Sequence, residues 1–182
     1  VPAPGSLVSG IQKLPAGHNL IYSLTDRSIR LERYWRFEFS PQSNWVKQPQ
    51  ALSEALIEKL YAAVNTRMQA DVPVGVFLSG GIDSSSVASL AMTASKSQNV
   101  KTYSIGFEDE SFDETGYSSD MAAVLGTDHT NEQLTAAGCL ELLDDIYTHL
   151  DEPMADGSLV PSFLMCRLAR NQATVALGGD GA

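Results

Sequence analysis

The stretch GVFLSGGIDSS at residues 75–85 decides the fold. The apolar run VGVFL (74–78) empties into Ser79-Gly80-Gly81, and Asp83, Ser84 and Ser85 follow where a helical period begins. An uninterrupted apolar run suits a strand buried on both faces of a parallel sheet. Glycines at its end let backbone N–H groups turn toward a ligand with no Cβ in the way. The hydroxyls of Ser79, Ser84 and Ser85 can donate to phosphate oxygens, and the helix start adds the positive end of its dipole, so a phosphate group is the natural occupant. Asp83 does not fit so simply. A carboxylate repels phosphate unless a divalent cation lies between them, and Mg²⁺ commonly bridges carboxylates to substrate phosphates. Asp also caps helices, and on this stretch alone capping is the simpler reading. The pattern GxxxxGK[ST] is absent and the next lysine is Lys96, beyond the helix, which argues against transfer of a terminal phosphate.

Working outward, residues 51–70 have a helical period, with Leu52, Leu56, Leu60, Val64 and Met68 on one stripe beside Ile57 and Tyr61, and that stripe is expected to face a core. A second helix is expected over about 84–95, and a second buried strand at TYSIGF (102–107), which makes a right-handed βαβ unit. An acidic loop, EDESFDE (108–114), leads to a helix with Tyr117, Met121, Val124 and Leu125. A short strand near 129–134, helices carrying Leu140 to Leu150 and covering about 161–171, and a strand ATVAL (173–177) complete the pattern. Alternating strands and helices predict an α/β fold with a doubly wound, mostly parallel sheet. Its clearest strands end in Ser79-Gly80-Gly81, in Gly106-Phe107 and in Gly178-Gly179-Asp180, so three loops are expected at one sheet edge. Residues 1–48 differ: HNLIYSL (18–24) and SIRLERYWRFEF (28–39) flank the turn TDRS (25–28), a short β-hairpin followed by a polar linker.

Composition narrows the function. Lys+Arg 12 against Asp+Glu 22 gives a net charge of -10, no electrostatic basis for a nucleic-acid groove or an anionic membrane surface. No basic leader with an apolar core and no run of membrane-spanning length is present, so the chain reads as soluble and cytoplasmic with a small-molecule ligand. Cys139 and Cys166 lie outside any CxxC pair and read as buried thiols on helices. The start on Val1 and the stop inside LGGDGA (177–182) read as a fragment of something longer.

These residues carry a resemblance. SGGIDSS resembles the SGGxDS signature of the ATP-pyrophosphatase (PP-loop) enzymes, and the ordered segments DVPVGVFLSGGIDSSSVASLA (71–91), YSIGFED (103–109), LGTDHT (125–130), DEPMADGSLVPSFL (151–164) and LGGDGA (177–182) resemble the synthetase domain of the glutamine-hydrolysing asparagine synthetase family. The resemblance implies an adenine nucleotide α-hydrolase-like, Rossmann-like domain over 49–182, incomplete at its C-terminus, behind the tail of a glutaminase-type domain and linker over 1–48. It implies ATP with adenine against the backbone near Leu78 and Ile105, and phosphates over Ser79, Gly80, Gly81, Asp83 and Ser84. Gly178 and Gly179 match positions beside the nucleotide, Asp180 matches an acidic position near the reacting carboxylate, and Asp83 would hold Mg²⁺. The implied reaction adenylates the side-chain carboxylate of aspartate, releases pyrophosphate and transfers ammonia derived from glutamine. A second magnesium ligand is expected in an Asp-Glu pair beyond Ala182, and the glutaminase nucleophile before Val1, so this fragment by itself is expected to be inactive. Related readings are a β-lactam synthetase-like enzyme or another amidotransferase acting on another substrate, and a non-catalytic nucleotide-binding module.

Several residues stay open at this stage. His129 reads first as structural and second as a substrate contact, and Glu114 is a further candidate beside the nucleotide. Asp151 and Asp156 either line the substrate side or brace their loop. Tyr34 and Trp35 read as packing residues, Met121 and Met165 as core filler. Apolar surface on an unfinished sheet predicts self-association, and a homo-oligomer is left open.

Overall fold

The computed structural model describes residues 1–39, 49–95, 99–109 and 111–179. The chain divides into two units, Val1–Lys47 and Gln48–Ala182. In the first, strands β1 (His18–Tyr22) and β2 (Ile29–Arg33) pair antiparallel, from His18 opposite Arg33 to Tyr22 opposite Ile29. The turn forms because Asp26 Oδ1 accepts from the Ser28 backbone N–H and hydroxyl while Arg27 takes a left-handed conformation. Ladder pairing ends at Arg33, and the N–H groups of Tyr34 and Trp35 both donate to the Gly17 carbonyl. Their side chains do not pack as expected: Tyr34 is 69% and Trp35 57% exposed.

The second unit is built on β3 (Val74–Phe77), the apolar run read from the sequence. Helix α1 (Pro49–Met68) precedes it, and α2 (Ile82–Ala94), β4 (Lys101–Phe107), α3 (Thr115–Leu125), β5 (Asp128–Leu134), α4 (Ala136–His149), α5 (Leu159–Arg170) and β6 (Val175–Leu177) follow. The four strands pair in the order β5-β4-β3-β6, every pairing parallel. This is the expected doubly wound α/β sheet.

Its two faces have different cores. On one, Val76 and Leu78 pack with Val64 of α1, Val87, Ala88 and Ala91 of α2 and Ala122 of α3. The small side chains of α2 let that helix approach the sheet closely. On the other, Leu134 packs with Leu142 and Ile146 of α4 and Leu164 of α5, and Tyr103 lies against Ala169 and Ala173. Local signals end and start the helices. Gly126, with φ 72°, closes α3 through its N–H to the Ala122 carbonyl, and Thr135 Oγ1 caps α4 by accepting from Gly138 N–H. From β3 the chain steps to β4 and β5, and the α4–α5 segment then returns it to the other side of β3 as β6. The strand order therefore reverses between β3 and β6, the place in an open parallel sheet where a crevice forms at the carboxyl ends.

Two expectations about burial fail. The stripe on α1 reaches a core only near its C-terminal end, where Val64 is buried and Met68 partly so, while Leu56 and Ile57 stay 57% and 56% exposed. Helix α1 packs against α2, and Val64 is its one buried residue, so its first turns lie outside the packed surface. Cys166 is exposed, because α5 turns Leu164 and Ala169 inward and leaves position 166 on the solvent side; Cys139 is half-buried.

Tyr103 is fully buried, and its hydroxyl has no hydrogen-bond partner among the described residues. Burial, and next the charge of Asp128, pushes this phenol above its ordinary pKa, so it stays neutral. An unpaired buried hydroxyl costs about 1–3 kcal/mol. Tyr103→Phe in the full-length protein is therefore expected to raise the melting temperature, and a fall in calorimetry would show that the hydroxyl has a partner.

Candidate functional site

Strand β3 delivers the chain into a loop in which one position requires glycine. Gly80 has φ +83°, and a Cβ placed there would lie 2.6 Å from the Tyr117 carbonyl carbon and 2.8 Å from the Ser118 nitrogen. Both the left-handed backbone and the contact with α3 require glycine. Gly81 is different: its φ of -69° suits any L-residue, and a Cβ would meet just Ser79 Oγ, at 3.4 Å. The space it leaves opens into a cavity. Gly179, after β6, is pinned by sterics, since its Cβ would fall 2.7 Å from Ser84 N.

Ser84 ties the loop together. Its nearly buried hydroxyl accepts from Ser79 N–H at 3.1 Å, bonds Ser79 Oγ at 2.8 Å and reaches the Gly81 carbonyl at 3.3 Å. The Ser79 hydroxyl also accepts from Gly81 N–H. Gly81 is the N-cap of α2 and no side chain caps that helix, so the simple reading of Asp83 as a cap is not what the fold uses. Helix geometry leaves the N–H groups of Ile82, Asp83 and Ser84 without intrahelical partners. The exposed Asp83 carboxylate has no hydrogen bond or ion pair among the described residues.

These groups face a cavity of about 350 Å³ at the carboxyl edge of β3, β4 and β6. One end is polar: Ser79, Gly81, Asp83, Ser84, Gly178 and Gly179. The other is apolar, with Ile105 and Phe107 from β4, Phe112, and Pro161 and Met165 from α5. Between them β4 offers backbone that is unpaired on its β3 side among the described residues. Register with β3 stops at Phe77 opposite Tyr103, and the Tyr103 carbonyl accepts from Leu78 N–H. By the two-residue period of a strand, the N–H and C=O of Ile105 point the same way, past the end of β3. Leu78 and Ile105 both line the cavity.

The acidic loop reaches the site through Asp113. Its carboxylate accepts from Thr115 Oγ1 at 2.7 Å, Phe107 N–H at 3.2 Å and Thr115 N–H at 3.3 Å, and the Thr115 hydroxyl foremost holds it below the usual carboxylate pKa. The clip leaves no room at Gly106, whose Cβ would meet Thr115 Cγ2 at 2.6 Å, and it sets Phe112 and Glu114 on the cavity wall.

Of the residues singled out in the sequence, Leu78, Ser79, Gly81, Asp83, Ser84, Ile105, Gly178, Gly179 and Glu114 line one cavity. Gly80 shapes its loop from behind, Ser85 and His129 are not on the wall, and Asp180 lies outside the described residues. Asp156 braces its loop by accepting from Ser158 N–H and Oγ, and the exposed Asp151 is not on the wall. Met121 packs against the core as expected, whereas Met165 is on the cavity wall. Ser104 and Ser118 also line the cavity. A serine inside the apolar strand TYSIGF was the available signal for Ser104; nothing in the helical period marked Ser118 or Met165.

Fold and site together define an α/β domain with a glycine loop lining a cavity at the carboxyl edge of a parallel sheet, at the switch point of its strand order. The model of the asparagine synthase family matches residues 55–182, and the chain belongs to that family. The glutamine-hydrolysing asparagine synthetase 1 of Bacillus subtilis is 34% identical over 182 residues, all of this chain and 28% of its own length. A Methanocaldococcus jannaschii protein named for the same activity is 37% identical over 181 residues, all of this chain and 34% of its own. The chain thus spans about a third of the length of these relatives. Among solved structures, the NH₃-dependent NAD synthetase of Campylobacter jejuni, in complex with nitrate, matches 70% of this chain and 56% of its own at a TM-score of 0.45 and 17% identity, a likeness too distant to carry weight.

The two loop glycines are separable by experiment. Gly80→Ala in the full-length protein is expected to destabilise by at least about 2 kcal/mol, from the left-handed backbone and the contact with α3. Gly81→Ala should melt within about 0.5 kcal/mol of the parent. Equal melting temperatures for the two variants would contradict the loop geometry.

Proposed function

We propose that this chain is the ATP-binding part of an asparagine synthetase-type amidotransferase, which adenylates the side-chain carboxylate of aspartate for amidation by ammonia from glutamine. The observation that carries the reading is a single cavity with a glycine loop and open helix N–H groups at one end and an apolar slot beside unpaired strand backbone at the other. Those ends suit a triphosphate and a purine respectively. The relatives' names add asparagine synthesis and glutamine hydrolysis, and residues 1–48 correspond on this reading to the tail of a glutaminase-type domain with its linker, residues 49–182 to the start of the ATP-binding domain.

The adenine would lie along the backbone of Leu78 and Ile105, where an N–H and a C=O face the same way. The phosphates would sit over Ser79, Gly80, Gly81, Asp83 and Ser84, with Gly178 and Gly179 leaving room beside them. No lysine, arginine or histidine lines the cavity among the described residues. Anion binding would therefore rest on backbone donors and the α2 dipole, an interaction of about 0.3–2 kcal/mol. Two carboxylates, Asp83 and Glu114, share the same wall. The unpartnered Asp83 oxygens, on the first turn of α2 and facing the anion end, have the chemistry that Mg²⁺ selects. When bound, Mg²⁺ would neutralise charge on the departing pyrophosphate.

In the reaction an aspartate carboxylate oxygen attacks the α-phosphorus, the bond to the β-phosphate oxygen breaks, and pyrophosphate leaves. Ammonia then attacks the acyl carbon, loses a proton and expels AMP. The chain's part is to align the attacking oxygen with the scissile bond and hold the leaving group still, with Asp180 the acidic residue assigned beside the reacting carboxylate. No nucleophilic side chain is required, and neither Cys139 nor Cys166 lines the cavity.

The reading is tested on the full-length protein with ATP, Mg²⁺, ammonia and aspartate by ³¹P NMR. AMP and pyrophosphate are expected only when aspartate is present, with a loss of about 100-fold or more for Asp83→Asn. AMP without aspartate dependence would move the substrate to another acid; ADP and phosphate would overturn adenylation.

A further inference from the structure

We propose that His129 is a positioning residue for this cavity: its imidazole fixes the Ser104 hydroxyl, and through it Ser118, as the polar wall beside the glycine loop. The inference rests on the nucleotide reading above.

The geometry begins with strand alternation. Thr102, Ser104 and Gly106 point to the α3 face of β4, and parallel register sets His129 of β5 opposite Thr102. The ring spans two hydroxyls, with Nδ1 2.9 Å from Thr102 Oγ1 and Nε2 3.2 Å from Ser104 Oγ. Beyond Thr102 lies Thr127 Oγ1, at 2.9 Å. Beyond Ser104 lies Ser118, whose hydroxyl reaches Ser104 Oγ at 3.2 Å and the Thr115 carbonyl at 3.0 Å. Thr102 and Ser118 are 0% exposed and Ser104 4%.

Three buried hydroxyls on a sheet face that otherwise packs valines and alanines are costly unless each is bonded. The ring meets that need with one donor and one acceptor, the inventory of a neutral imidazole. Burial keeps His129 below its ordinary pKa, against a smaller opposing contribution from the Thr102 backbone. The network is closed at Thr127. Its other end opens on the cavity, because Ser104 and Ser118 line it and His129 does not.

Two consequences follow for the site. Ser118 belongs to the turn of α3 that abuts Gly80, so the bond to Ser104 holds that turn against the loop. The ring also sets what Ser104 presents. With the proton on Nε2, Ser104 accepts from the ring and its own proton is free for Ser118 or the cavity; with the proton on Nδ1, it donates to the ring and presents lone pairs to both. An apolar residue at 129 would leave the wall without a defined polarity.

Asparagine at 129 can reproduce the Nδ1 contact and glutamine the Nε2 contact, which separates bracing from positioning. MgATP affinity by calorimetry and melting temperature are read on the full-length protein for His129→Asn, His129→Gln, Ser104→Ala and the double variant His129→Asn with Ser104→Ala. Loss of one neutral hydrogen bond predicts about fivefold weaker binding for His129→Asn and for Ser104→Ala, with His129→Gln within about twofold of the parent. The double variant should be no weaker than the single ones, the non-additivity of two residues acting through one contact. Additive losses, or unchanged affinity in variants that merely melt earlier, overturn the proposal. Should His129→Asn fail to fold, unchanged affinity in Ser104→Ala overturns it equally. A parent protein that does not bind MgATP overturns the nucleotide reading and this one with it; a parent that binds beside variants that bind alike overturns this one alone.

Discussion

The structure depends on two places where backbone meets backbone with no side chain between. Gly80 lies against Tyr117 and Ser118 of α3, and Gly179 against Asp83 and Ser84 of α2. Together they press the start of α2 between the loop after β6 and the first turns of α3, which brings residues far apart in sequence around one helix N-terminus. Neither contact tolerates a Cβ without moving main chain. The loop is consequently defined by sterics, which on the proposed reading is the preorganisation that an anion site made of N–H groups requires.

That clamp works because of how the sheet is wound. With β3 and β6 adjacent and parallel, and the helices following β3 and preceding β6 on opposite faces, the space above their ends is left open by topology. The two faces then divide the work. The α5 side contributes Met165 and Pro161 to the apolar end, and the α3 side contributes the hydroxyls of Ser104 and Ser118. A strand with Tyr103, Ile105 and Phe107 on one face and Thr102, Ser104 and Gly106 on the other expresses that division in its period of two.

The parts legible in the sequence were those with local causes. A continuous apolar run, a glycine pair and a helical period specify β3, its turn and α2 through neighbouring residues, and the order of elements then implied the parallel sheet. The misreadings share a different cause. The α1 stripe was periodic along its whole length, but periodicity does not say how far the opposing surface extends. Met165 and Cys166 are neighbours on α5, and which of them meets the cavity depends on the rotation of that helix over β4, a tertiary quantity. Asp83 is chemically suited to capping, yet Gly81 already occupies the N-cap and Ser84 already satisfies the turn, so the carboxylate is left over. A residue's surplus after local bonding is complete becomes visible once every partner has been placed.

The electrostatics make that surplus consequential. The chain carries -10, and the cavity wall holds Asp83 and Glu114 with no cationic side chain among the described residues. A polyanion entering there meets fixed N–H dipoles, whose attraction falls off within the first helical turn, and carboxylates, whose repulsion reaches further through the low dielectric of a cleft. Backbone donors by themselves do not offset two nearby negative groups. On the proposed reading the metal ion changes the sign of this balance, and the apolar slot adds binding that charge does not oppose. Such a site would favour the ligand that brings metal, phosphate and planar base together, and discriminate against inorganic phosphate, which offers the loop its charge without the base that fills the other end.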